Sequence, residues 1–382
     1  MQTMDEPRTS HPRSGIAMVL SLVAIIVVGG IVAAISGSTM IETRTAEVGR
    51  RQNQAFAVAD AAAGELIGNW ESGVNNIMPV GTSRNVSGTA PGGTGTYTAT
   101  ISRTNQEIFL VDVVGRDAAS QARQRLGLLV KLRVLTFDAT AALTTRGVGR
   151  VGGSASISGA DNIPTGWAAE CPPAGPQASG VRHPNTSQLT FFGGCNNQSC
   201  VVGDPRVLND PTVNDETFFN YGEADWAQLS SAANIVLSGG NISQIQPRLS
   251  GTQCDRSHGQ NWGEPQRGSG AVTACTNYFP TVFINGDAAI QVDRGQGILM
   301  VNGDLRFTGN FKFNGIVIVR GKLEAAGTPV ITGAILAANV DLDNASGLGN
   351  IDLRFSRCAV QAAQVSGALG AGFRSRGWTQ IF

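Results

Sequence analysis

The sequence of 382 residues is long enough for two or three domains with cores of their own. Its 28 basic and 28 acidic residues cancel, which excludes a broad nucleic-acid footprint and an electrostatic trap for acidic substrates. Charged residues make up only 15%, and 49 glycines without a strict triplet period call for many tight turns, hence a β-rich body.

The first 15 residues hold Asp5, Glu6, Arg8 and Arg13, so their removal would leave the charge balance unchanged. Ile16 to Ile35 then form an uncharged run of 20 residues, enough to cross the hydrocarbon of a bilayer as a helix. Arg8 and Arg13 favour a cytoplasmic N-terminus, diluted by Asp5 and Glu6. A cleaved secretory signal ending near Ser36-Gly37-Ser38 and a plain signal anchor are two readings of this run. A third rests on its surroundings: a short polar leader ends at Gly15, and helical character continues far past the bilayer.

That continuation, Ile41 to Trp70, is rich in Ala, Glu, Arg and Gln. Ile41, Val48, Ala55, Ala59, Ala62, Leu66 and Trp70 draw one apolar stripe at helical spacing, the mark of a core-facing helix. No proline separates stripe and span, so one helix from Ile16 to Trp70 is expected, about 80 Å long.

The leader ending in Gly15, the apolar start at Ile16, and Glu42, Arg44, Ala46, Arg51 and the Ala59–Glu65 run together resemble the type IV pilins. The closer resemblance is to the PilX-like minor pilins. It implies cleavage between Gly15 and Ile16 by prepilin peptidase, assembly with other minor pilins and the pilin assembly machinery, and residence in the inner membrane before assembly. The head would be periplasmic, then displayed on a surface filament. Most pilins carry glutamate at the fifth mature position, where this sequence has Leu20. A buried carboxylate is costly in lipid unless paired, so its absence suits a tip or initiating subunit, as in the K pseudopilins. Gly29 and Gly30 sit where pilin helices are thought to loosen during assembly, although close helix packing would also use them.

Thr96–Arg103, Glu107–Val114 and Arg123–Leu135 read as three strands, with turns at Pro91–Gly95 and Arg116-Asp117. The strands alone allow several α+β folds. The resemblance implies a three-stranded antiparallel head sheet, within residues 71–140, packed on the helix.

Between Val282 and Phe355 a repeat stands out with no help from resemblance. Gly286, Gly303, Gly321 and Asn339 fall 17, 18 and 18 residues apart, and Gly297, Gly315 and Gly333 recur every 18. Gly and Asn tolerate positive φ, so each set is expected to mark a bend once per coil. The alternating pairs Ile298/Met300, Leu305/Phe307, Phe311/Phe313 and Ile316/Ile318 predict a three-sided parallel β-solenoid over 281–362 with these side chains inward. Right-handed winding is expected from the crossover rule, although 18 residues per coil also suits left-handed solenoids. Residues 363–382 read as a tail.

Residues 141–280 combine a candidate opening coil, Val148–Gly159, with an insert rich in Gly, Pro, Asn, Ser and Gln. Five of six cysteines fall there, all beyond the apolar run, which points to disulfides in an oxidising compartment. Cys195 with Cys200 and Cys254 with Cys275 would close small loops, leaving Cys171 for Cys358, although six cysteines permit many pairings. A metal would have to use His183 and His258 with Cys195, Cys200 or Cys254, without CxxC or zinc spacing.

Neither His183 nor His258 lies in a nucleophile motif, and Gly92–Gly95 lacks the GK[ST] of a phosphate cradle. Asp287, Asp293, Asp304, Asp341 and Asp343 are where a solenoid glycosidase or lyase would carry acids, yet they read better as solvated turn positions. Asp341, Asp343 and Asn344 offer oxygens for Ca²⁺ but no complete loop. Trp167, Trp226, Trp262, Tyr221 and Tyr278 would serve either a glycan-binding face or the insert's own core, and the core is favoured. No catalytic residue, metal or cofactor is assigned. The reading is therefore an α+β structural subunit, with a membrane-anchored solenoid adhesin or glycan-binding module as the alternative.

Overall fold

The computed structural model describes residues 14–342, 350–372 and 378–381. Helix α1 runs without a break from Ser14 to Gly68. No proline or polar cluster interrupts it, and Gly29 and Gly30 are accommodated in regular helix.

The C-terminal part of α1 packs on an antiparallel sheet. Its first four strands are β1 (Ser83–Thr89), β2 (Gly95–Arg103), β3 (Ile108–Asp117) and β4 (Arg123–Arg133), paired in chain order. Ala59, Ala62 and Ala63 of α1 join Ile101, Phe109, Val111, Val113, Leu126 and Val130 in one core. Small helix residues matter because the sheet comes close. A Cβ on Gly115 would lie 2.5 Å from the Ala59 amide nitrogen, with the Ala55 carbonyl closer still. Replacing Gly115 by alanine should therefore push the helix off the sheet and cost about 1–3 kcal/mol. Urea denaturation would report it as a lower midpoint with an unchanged slope.

The sequence predicted only three of these strands and a C-terminal tail. β1 was hidden because its one large apolar residue is Val86. The tail is no tail: Leu369–Gly372 and Trp378–Ile381 both pair antiparallel with β4, completing the head sheet from the far end of the chain.

The second body is a parallel stack. Thr281–Ile290, Arg294–Val301, Lys312–Ala325 and Val330–Leu342 pair in parallel, with Gly297, Gly315 and Gly333 in register. All three have positive φ, and a Cβ on Gly315 or Gly333 would overlap the carbonyl of the glycine one coil earlier. The other glycine column works differently. Only Gly286 there has positive φ; Gly303 and Gly321 leave room instead for the Asp287 and Asp304 carboxylates, which would collide with any Cβ.

Two expectations about this body are corrected. The residues pointing inward on the strand after the Gly297 corner are Leu299 and Val301, with Val317 and Val319 above them, in one core with Leu305, Phe307, Phe311 and Phe313. Ile298, Met300, Ile316 and Ile318 face outward into a separate core with Leu135, Phe218, Tyr221, Trp226 and Val360. The side is covered on both faces, so its strands read as unbroken apolar runs whose alternation does not show which set is inside. The outer cover consists of the helix Arg357–Gly367 and a segment containing the short helix Trp226–Ser231.

The second correction concerns residues 141–280, expected as an opening coil and an insert. They supply much of the stack. Ala141–Thr145 and Gly149–Val151 pair in parallel with Val330–Leu342, and Ser179–His183, then Val207–Asn209, follow on the next levels. At the opposite end Ile235–Ile242 pairs in parallel with Thr281–Ile290. The chain thus enters the stack in its middle, builds to one end, crosses outside, and fills in from the other end until the two stretches meet. Within the expected opening coil Val148–Gly159, Gly149–Val151 and Ser156–Ser158 do pair in parallel in the stack, whereas the other strands escaped the sequence reading because many are only two to five residues long and their connections vary in length.

Candidate functional site

Two regions of the molecule bear on function: the exposed helix with its seat, and the stack surface. The most apolar part of α1 is long and apolar enough to cross a membrane and is not buried against any other described part of the chain. Leu20, Val23, Ile26, Val27 and Ile31 are all exposed, and Gly29 and Gly30 have open space where a side chain would be. Glu42 and Arg44 lie on the same exposed stretch. The seat begins later than the predicted stripe. Ile41 and Val48 are exposed, Ala55, Ala59 and Ala62 are fully buried, and Leu66 and Trp70 are half-buried. The apolar periodicity therefore serves two purposes: its last four turns fill a core, and its first part meets nothing among the described residues. Gly15 and Ile16 stand in the first turn of α1, while residues 1–13 of the expected leader lie outside the described residues.

The six cysteines form three disulfides: Cys171–Cys358, Cys195–Cys200 and Cys254–Cys275, with Cα separations of 5.6, 4.7 and 4.9 Å. The first fastens the helix Arg357–Gly367 to the loop carrying Trp167. Among the described residues no group of three or more His, Cys, Asp or Glu is placed to hold a metal ion.

His183 is fully buried, its Nε2 lying 2.7 Å from the Gly147 carbonyl while its Nδ1 accepts from the Asn185 amide. His258 accepts from the Gln260 amide through Nδ1. Asp287 and Asp304 each accept a backbone N–H from the next coil, at 2.8 Å from Asp304 and 2.7 Å from Lys322. They are rungs that tie coils together. Asp293 has positive φ at a coil bend, and Asp343 and Asn344 lie outside the described residues.

The five aromatic residues weighed as a glycan platform are buried. Trp262 packs edge-on against Phe311 inside the stack, Trp167 against Phe279, and Trp226 against Phe283. Burial pushes the Tyr278 hydroxyl up to about 12 and raises Tyr221 as well.

The sequence reading missed the buried polar cluster beneath the loop 264–276. The Glu264 carboxylate is fully buried and accepts from Arg294 Nε and Nη2 at 2.8 and 2.9 Å. It also accepts from the Gln266 and Val272 amides, both at 3.0 Å. Beside it, Arg267 pairs with Glu170, donates to the Glu264 and Thr276 carbonyls, and lies 4.5 Å over the Trp167 ring. No motif flags such a cluster, because Glu264 and Arg294 are far apart in sequence and meet only once the coils stack.

These features define an α+β protein with an exposed apolar N-terminal helix, an antiparallel head sheet and a disulfide-bonded parallel stack. No protein-family model matches the chain, and no curated protein matches it either. Among solved structures, the competence-associated pilin ComZ from Thermus thermophilus aligns over 87% of this chain and 97% of its own, at 12% identity and a TM-score of 0.28. At that level of similarity neither fold nor role passes from one chain to the other.

Proposed function

We propose that the chain is a structural subunit of a type IV pilin-like filament, inserted in a membrane by α1 before assembly. One observation carries this reading: a continuous 55-residue helix whose last turns are built into a head while its apolar first half has no partner among the described residues. An apolar rod of that length must be covered by lipid or by the rods of neighbouring subunits. The same helix can serve both states in turn, with the head and stack held outside.

Within this reading the leader is cut between Gly15 and Ile16 by a prepilin peptidase. The subunit works with other minor pilins and the assembly machinery of the inner membrane, in the manner of the PilX-like proteins, its head first periplasmic and then on the cell surface. Leu20 at the fifth mature position brings no carboxylate into the bundle, which favours a tip or initiating place over repeated use along the shaft. The role is assembly; no reaction is assigned.

The test is the N-terminal residue and mass of the protein taken from its native membrane, with and without the peptidase. A mature form starting at an N-methylated Ile16 that disappears without the peptidase is expected. An intact Met1, or a start near Ser38, would refute the pilin reading and leave an anchored or secreted stack.

A further inference from the structure

Lysine occurs three times in the whole sequence. Lys131 pairs with Glu223 and Lys322 with Glu324. Lys312 is exposed, forms no ion pair among the described residues, and lines a groove of about 490 Å³ on the outer side of the stack.

The floor of this groove comes from consecutive coils. Lys312, Val330 and Asp352 are register partners, and so are Asn314, Thr332 and Arg354. Parallel strands lie about 4.8 Å apart, so Lys312 and Arg354 are separated by about 10 Å along the stack, with Val330 and Thr332 on the coil between them. Arg354 directs Nε and Nη2 at one oxygen of Asp352, and its Nη1 has no hydrogen bond among the described residues. The far wall is the loop of Pro265, Gln266 and Arg267, held rigid by the buried Glu264–Arg294 pair below it. Arg267 itself is fully engaged in holding the wall.

We propose that this groove binds an extended, carboxylate-bearing polysaccharide lying along the stack axis. The floor and wall offer amides and hydroxyls suited to sugar hydroxyls, Lys312 offers an ammonium with no ion pair among the described residues, and Arg354, already paired with Asp352, offers its remaining Nη1 donors. Other polymers fit less well. The floor strands are hydrogen-bonded to neighbours on both sides, so no edge is free for an added peptide strand. The lining holds no aromatic ring on which a base could stack. The inference does not rest on the filament reading, because the groove belongs to the stack and not to α1.

The experiment is calorimetric titration of the full-length chain in detergent micelles with oligogalacturonate, with a neutral malto-oligosaccharide and polyphosphate as comparisons. Binding of oligogalacturonate alone is expected, weakened about tenfold or more by Lys312→Glu. Lys322→Glu, on the same stack but outside the groove, should leave it unchanged. Absence of oligogalacturonate binding at millimolar concentration, equal binding by Lys312→Glu, or polyphosphate binding of the same strength would each overturn the proposal. Circular dichroism of Lys312→Glu, an exposed position, should match that of the parent chain.

Discussion

Replacing Gly315 by valine is expected to break the parallel stack at its middle coils, at a cost of roughly 3–5 kcal/mol. Two effects add. Gly315 holds φ at +141°, a conformation that L side chains rarely adopt, and its Cβ would overlap the Gly297 carbonyl one coil below. The glycine column leaves no sideways escape, since Gly333 sits in register above. Gly240→Ala separates the two contributions, because Gly240 has φ +119° but open space around a Cβ. It should cost only about 1 kcal/mol, the backbone strain alone. Urea unfolding followed by tryptophan fluorescence reads both, and equal effects of the two variants would refute the close packing of the coils.

Removing the Glu264 carboxylate should be nearly as damaging. Glu264→Gln leaves Arg294 without its partner and turns an amide N–H toward backbone donors, at a cost of about 3 kcal/mol. The same group gives stability a pH dependence. Burial would raise the Glu264 pKa, but hydrogen bonds from Arg294 and the Val272 and Gln266 amides outweigh it and hold the carboxyl below its usual range. The folded pKa is thus lower than the unfolded one. Its contribution is present in full above about pH 4.3, the ordinary glutamate value, and is lost as pH falls through the folded pKa. The difference in urea midpoint between the parent chain and Glu264→Gln should be constant near neutrality and narrow below about pH 4.3. A difference that persisted to pH 3 would contradict the assignment.

How much of this was visible in the residues depends on how local the cause is. The apolar run and the helix formers after it announce α1 because each turn is stabilised within the segment. Where the helix stops being bare and becomes core was not legible, since Val48 and Ala55 look alike to a periodicity and only the position of Gly115 decides between them. The 18-residue glycine columns revealed the stacking of 281–342, because the same corner recurs at one spacing. In the run Ile298–Val301, a one-residue ambiguity exchanged inside and outside, and the outer cover of the helix Arg357–Gly367 and the segment around Trp226 explains why both sets are apolar. The coils between 141 and 209, and the closing strands after Leu369, depend on partners distant in the chain. Apart from the candidate opening coil at Val148–Gly159, their sequences carry no trace of that pairing. The groove at Lys312 was invisible for the same reason, since its floor is three coils deep.

The return of the C-terminal strands to β4 has a mechanical consequence. The chain leaves the head sheet after Arg133 and comes back to the same strand at Leu369–Gly372, opposite Arg133–Val130. Everything between is a side loop, closed at its neck by strand pairing. Tension applied along α1 would be carried by the antiparallel sheet, and the coils would hang beside the line of force. Were the neck to open, the disulfide between Cys171 and Cys358 would short-circuit the loop, and every coil from Ser179 to Phe355 lies between those two cysteines. Exposed residues of the coils can therefore change without touching the pairing that closes the neck.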